Sequence, residues 1–206
     1  MGYFYDTTET ILIEQYVSEY MGPIRLTIPE ETVFETRIDL LVVEPTPERP
    51  LRTIVTCGMG AIPLELPQYL SIHRINRVEL VLHMSPEWEL SGRMAWPVRL
   101  LHWLSRLPLE NQQVIEDLAV LDFEPFLLHD NPYRGVILHY CNECHLLNPY
   151  VQLPRKDRVI FMEAIPLLQP EMDFIKQHSA DEFIRRSHRF LPLGADSLRK
   201  PLTEVF

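Results

Sequence analysis

The sequence predicts a single α+β domain, and three observations carry that prediction. Apolar residues recur at helical spacing near both ends and in the middle of the chain, and at strand spacing in between. The segments succeed one another as helix, strands, helix, strands, helix, without the regular alternation of a parallel α/β fold. At 206 residues, with no internal repeat, low-complexity stretch or shift in composition, the chain is one domain over 1–206, with 191–206 a C-terminal extension.

The first helix is expected over about 6–21. Asp6 and Glu9 have capping-box spacing, Ile13, Tyr16, Val17 and Tyr20 share one face, and Gly22-Pro23 is a stop signal. Strand spacing follows over 33–43, where Val33, Glu35, Arg37 and Asp39 interleave with Phe34, Thr36, Ile38 and Leu40 before the apolar Leu41-Val42-Val43. Pro45, Pro47 and Pro50 make the next stretch a stiff, extended connector. Leu51 to Cys57 reads as the antiparallel return strand, and Gly58-Met59-Gly60 as the turn after it. From Arg77 to Met84, Val78, Leu80, Leu82 and Met84 alternate with Arg77, Glu79, Val81 and His83, the cleanest strand in the chain. Pro97 sits at the tolerated first turn of a helix with Leu100, Leu101, Leu104 and Leu107 as its buried stripe, and Pro108 closes it. The stretch 109–131 has mixed periodicity and reads as irregular. Strands are expected over 134–140 and 158–165. Ser179 and Glu182 form a capping box for a last helix, with Phe183, Ile184, Ser187, Phe190 and Leu191 on one face.

With hydrophobic residues at 46% and charged residues at 23%, the chain is globular rather than disordered. Acidic residues outnumber basic ones by 29 to 19, and the resulting net charge of -10 repels phosphate backbones and anionic lipid. Nucleic acid and membrane are therefore not expected partners. Seven glycines are too few and too scattered for a glycine-rich nucleotide loop. The N-terminus has no basic-then-apolar leader pattern, and no apolar run approaches the roughly 18 residues of a membrane span. Three cysteines, an odd number, argue against a disulfide framework. The expectation is a cytoplasmic protein.

Cys141-Asn142-Glu143-Cys144-His145 spells the covalent haem attachment pattern, which needs an export route that the N-terminus does not provide. With His139 the same stretch offers four metal-ligand types, so a small zinc protein or metal-dependent enzyme built on His139, Cys141, Cys144 and His145 is the alternative reading. A short strand cannot wrap a tetrahedron, however, and two buried small thiols near a strand end are the simpler account. Histidines 83 and 102 lack the orienting partner that catalysis needs, and no Gly-x-Ser-x-Gly, His-Glu-x-x-His or Ser-x-x-Lys motif occurs. No catalytic residue and no cofactor are assigned. Trp88, Trp96 and Trp103 are expected to pack, with Trp88 the most exposed of the three. Gly58, Met59, Gly60 and Ala61 have two readings: a turn that needs positive φ, or a small-residue loop that lets a partner's backbone approach.

The run from Ile38-Asp39-Leu40 through Glu44-Pro45-Thr46-Pro47-Glu48-Arg49-Pro50 to Thr53-Ile54-Val55-Thr56-Cys57-Gly58-Met59-Gly60 resembles the suppressor-of-fused domain family. So, in the same order, do Val78-Glu79-Leu80 to Trp88, Trp96-Pro97 to Leu107-Pro108, and Ile165-Pro166-Leu167 to Glu171. The resemblance implies a mixed, mostly antiparallel sheet packed with helices, no catalytic chemistry and no required cofactor. In animal relatives a second domain follows and a transcription-factor peptide is held between the two. This sequence resembles the single-domain, bacterial-type members, which look like immunity proteins or interaction modules. Where the animal loop continues to a tyrosine used in binding, this chain has Pro63. The functional expectation is a non-catalytic protein-binding module, of an immunity type that occludes a basic toxin or another protein partner through Gly58, Met59, Gly60 and Ala61.

Overall fold

Asp6 accepts a hydrogen bond from the Glu9 N–H while the Glu9 carboxylate accepts one from the Asp6 N–H, so the expected capping box starts the first helix, α1 (Thr7–Tyr20). The computed structural model describes residues 3–30, 35–47, 49–64, 74–88, 90, 95–110, 115–129, 131–140, 150–154, 157–190, 194–196 and 199–204. Four strands follow α1 as an antiparallel meander: β1 (Ile24–Ile28), β2 (Asp39–Val43), β3 (Arg52–Cys57) and β4 (Ile75–Met84). The second helix, α2, spans Trp96–Glu110. Then come β5 (Val120–Asp122), β6 (Gly135–Tyr140), β7 (Tyr150–Gln152) and β8 (Arg158–Leu167), and the helices α3 (Gln169–Gln177) and α4 (Ala180–Ser187).

Among the described residues eight strands join one mixed sheet in the order β1-β2-β3-β4-β8-β6-β5, with β7 paired to β8 beside the start of that strand. Among the described strands β4 and β8 are the one parallel pair, Val78 lying opposite Ile160 and Val81 opposite Glu163. A parallel neighbour needs a long crossover, and here the chain from α2 to β7 supplies it.

Helices cover both faces. Leu100, Leu101, Leu104 and Leu107 of α2 pack on the side of β4 and β8 that carries Val78, Leu80, Leu82, Ile160 and Met162. On the opposite face α1 places Ile13, Tyr16 and Val17 over Leu41, Val55, Val81 and Phe161. Further along that face, Met172 of α3 and Phe183 and Ile184 of α4 cover Ile137, Ile165 and Leu167.

Several elements depart from the sequence reading. Pro108 lies inside α2, which continues to Glu110. A proline in the last turn forfeits a single helical hydrogen bond and keeps a helical φ, so it need not end the helix. Strands β1, β5 and β7 and helix α3 were not expected, and of the strand read over 33–43 only Asp39–Val43 is a strand among the described residues. The region read as a C-terminal extension is tied to the domain where it is described. Ala195 donates its N–H to the His83 carbonyl and accepts from the Ser85 N–H. The Tyr133 hydroxyl donates to the Asp196 carbonyl and accepts from its N–H. Arg199 pairs with the fully buried Glu171 at 2.8 Å. Among the described residues no helix is long and apolar enough to cross a membrane.

Candidate functional site

The small-residue loop predicted as a binding site turns inward. Gly58, Met59, Gly60 and Ala61 are all buried, the last three as one turn of 3-10 helix. Gly58 has φ +130°, and a Cβ there would lie 2.1 Å from the Arg37 carbonyl oxygen, so the glycine is required for the turn itself. Gly60 is glycine for another reason. Its φ is not positive, but a Cβ would stand 2.1 Å from the Tyr5 hydroxyl and 3.1 Å from Glu79 Oε1.

Two neighbouring same-face residues of β4 grip this loop. Glu79, fully buried, accepts the N–H groups of Gly58 and Gly60 at 3.0 Å each on Oε1, while its Oε2 accepts the Thr56 hydroxyl at 2.5 Å. Thr56 in turn accepts the Leu80 N–H at 2.8 Å. Arg77 donates from one nitrogen to the carbonyls of Gly60 and Ala61, both at 2.8 Å, and pairs with Asp157 at 2.8 Å. Burial pushes the Glu79 carboxyl up from 4.5 to about 7, against the opposing pull of the hydrogen bonds from Thr56, Gly58 and Gly60. The Tyr5 hydroxyl lies against Glu79, and burial and the charge of Glu79 hold its phenol well above the ordinary value. Burial likewise raises the Cys57 thiol, which is no activated nucleophile. The arrangement fixes a loop; its amides are committed inside the domain.

Two residues along the same face of β4, His83 is buried against Thr53, its cross-strand neighbour, with Nδ1 3.0 Å from the hydroxyl. Burial lowers its pKa from 6.5 to about 3, so the ring is neutral. In the metal alternative, His139 directs Nδ1 to Asp117 at 2.9 Å, and Cys141, Cys144 and His145 lie outside the described residues. Among the described residues no group of three or more His, Cys, Asp or Glu is placed to hold a metal ion. Trp96 is buried, edge-on to Trp88 at 5.4 Å, and Trp88 and Trp103 pack half-buried against the same core. The sequence reading missed Tyr5, Arg77 and Glu79 as partners of the glycine loop. The available signal was the charged pair Arg77 and Glu79 at alternate positions of the next strand after the Gly-x-Gly turn, on the face opposite Val78, Leu80 and Leu82.

Fold and site together define a mixed-sheet α+β domain built around a carboxylate-held glycine loop. Over residues 35–196 the sequence matches the family described as Suppressor of fused protein (SUFU), and the chain belongs to that family. No curated protein matches it significantly. Its fold is similar to a chain of the Sufu–Fu complex crystal structure, at TM-score 0.66 and 10% identity, over 96% of this chain and 93% of that one. It is also similar to a suppressor-of-fused homologue from Neisseria gonorrhoeae FA 1090, at TM-score 0.65 and 12% identity, over 95% and 97% of the two chains. Drosophila Suppressor of Fused matches at TM-score 0.57 and 11% identity, over 82% of this chain and 43% of that one. At these identities the likeness is one of fold.

Proposed function

We propose that this chain is a protein-binding module that acts by holding and occluding a partner rather than by turning over a substrate. The observation that carries this reading is membership of the suppressor-of-fused family, together with a fold shared across nearly the whole chain with a protein crystallised as the Sufu–Fu complex. In the finer form of the proposal the chain is cytoplasmic and of an immunity type. The net charge of -10 then suits a basic partner such as a toxin that cuts nucleic acid. The loop of Gly58, Met59, Gly60 and Ala61 contributes by fixing the surface around it, including the exposed Pro63, while its own amides stay with Glu79.

Affinity capture from native lysate, followed by calorimetry on the recovered protein, tests this. The expected result is a saturable complex with one protein and no turnover of model substrates. Failure to recover any partner, together with reproducible turnover in a hydrolase and transferase screen, would sink the reading. For the immunity form, co-expression should restore growth to cells producing the captured partner; growth that stays arrested removes that form alone.

A further inference from the structure

On the outer side of α2, away from its leucine stripe, a groove of about 380 Å³ is lined by Arg99, His102, Trp103, Arg106, Glu110 and Phe126. Its aromatic floor is Trp103, half-buried and edge-on to Phe123 at 6.4 Å. Phe126, in the one-turn 3-10 segment Pro125–Leu127, forms the rim and is 45% exposed.

Two of the three basic side chains are already engaged within the domain. Arg106 is ion-paired with Glu30. His102 donates Nε2–H to the Ile38 carbonyl at 3.1 Å, and burial lowers its pKa, so it brings no charge at neutral pH. Arg99 differs. Its Nε and Nη2 are both buried, and among the described residues neither has an acceptor. Those two N–H groups form the side of the guanidinium fork that matches the two oxygens of a carboxylate. A dry, unpaired fork beside an aromatic floor is unfavourable as it stands and is relieved by an incoming anion. The groove is open to solvent, and docking requires the Arg99 side chain to change torsion so that the fork faces into it, a kind of rearrangement common at interfaces.

We propose that this groove is a docking site for an acidic segment of a partner protein. One aspartate or glutamate side chain takes the Arg99 fork, and an adjacent aromatic or aliphatic side chain packs on Trp103 and Phe126. This rests on the binding-module reading and names the chemistry of the bound segment. Glu110, exposed at the other end, lies eleven residues along the helix, about 16 Å from Arg99 at 1.5 Å per residue. It repels a second acidic residue there, so the segment lies with its carboxylate at the Arg99 end. The overall charge of -10 governs long-range approach, whereas the fork acts at contact, so a basic partner with one local acidic residue satisfies both.

The probe is a fluorescein-labelled hexapeptide with one glutamate beside one phenylalanine in a Gly/Ser background, and its twin with glutamine in place of the glutamate. Anisotropy titrations use wild type, Arg99→Gln and Phe126→Ala, each checked for fold by circular dichroism. Wild type should bind the glutamate peptide saturably and the glutamine twin about tenfold more weakly. Arg99→Gln should bind both peptides equally weakly, and Phe126→Ala should bind the glutamate peptide several-fold more weakly than wild type. Equal binding of the two peptides by wild type, a preference that survives in Arg99→Gln, or no saturation at millimolar concentration would each overturn the site. So would displacement of the peptide by inorganic phosphate at equal concentration. A captured partner held equally by wild type and Arg99→Gln would overturn this groove while leaving the binding-module reading in place.

Discussion

Glu79 and His83 stand on one face of β4, and their titrations oppose each other. The Glu79 carboxyl is raised from 4.5 to about 7 in the folded chain, so the folded state holds a proton that the unfolded state has lost, and stability falls as pH rises through that window. His83 is lowered from 6.5 to about 3, so the unfolded state binds the proton first, and stability falls as pH drops below 6.5. Each effect runs at about 1.4 kcal/mol per pH unit inside its window. Between 4.5 and 6.5 they cancel, and the pair contributes a plateau there, with losses below 4.5 and from 6.5 to 7. Urea unfolding of wild type and Glu79→Gln side by side isolates the carboxyl: the stability of wild type relative to the variant should fall with pH between 4.5 and 7, so that the variant's curve rises more steeply with pH than that of wild type. Parallel curves for the two proteins would contradict the assignment. Neither residue's role was legible from spacing. Alternation places Glu79 and His83 opposite the core side of β4, where a half-buried strand would meet water, yet α1 and the inward loop bury that face as well.

At the scale of elements, what the sequence conveyed depended on length and on end signals. Helix α1 has both halves of its capping box and β4 alternates over Arg77–Met84; both lie where they were expected, with β4 beginning two residues earlier, at Ile75. Strands β5 and β7 have three residues each, too few to establish a period, and exist because longer neighbours supply their hydrogen bonds. Strand β1, Ile24-Arg25-Leu26-Thr27-Ile28, does alternate apolar and polar residues, but over five positions only, and three of the five are exposed in the fold. Helix α3 did announce itself through Pro170 in its first turn, a start signal that passed unread because α4 follows so closely. The stripe of α2 was legible, and it makes a sharp prediction. Leu104 is fully buried within the core that α2 shares with β4 and β8, so Leu104→Ala should cost about 2–5 kcal/mol through lost burial and a residual cavity. Urea unfolding within half a kcal/mol of wild type, at about the accuracy of such extrapolations, would place that side chain outside the core.

Across the whole molecule, the order of strands in space follows their order along the chain from β1 to β4 and departs from it at the centre, where β8 enters. Strand β8, the last in sequence, lies between β4 and β6 and runs parallel to β4. The resulting pair has both edges hydrogen-bonded and both faces under helices, whereas β1 and β5 close the sheet with short, partly exposed strands. Amide hydrogen exchange should therefore be slowest in β4 and β8, where opening requires global unfolding, and orders of magnitude faster in β1 and β5. Exchange in β4 as fast as in β1 would contradict the central position of this pair.

The late arrival of β8 has a consequence for the chain as it is made. After Met84 leaves the ribosome, the residue that begins β8 follows about seventy residues later, a delay of several seconds at ordinary rates of synthesis. For that interval β4 is an apolar strand with one side of its backbone unpaired, the kind of edge that another nascent chain can join and that a chaperone can cover. Substitutions that weaken β8 should thus lower the yield of folded protein in cells more than they lower the stability of the molecules that do fold.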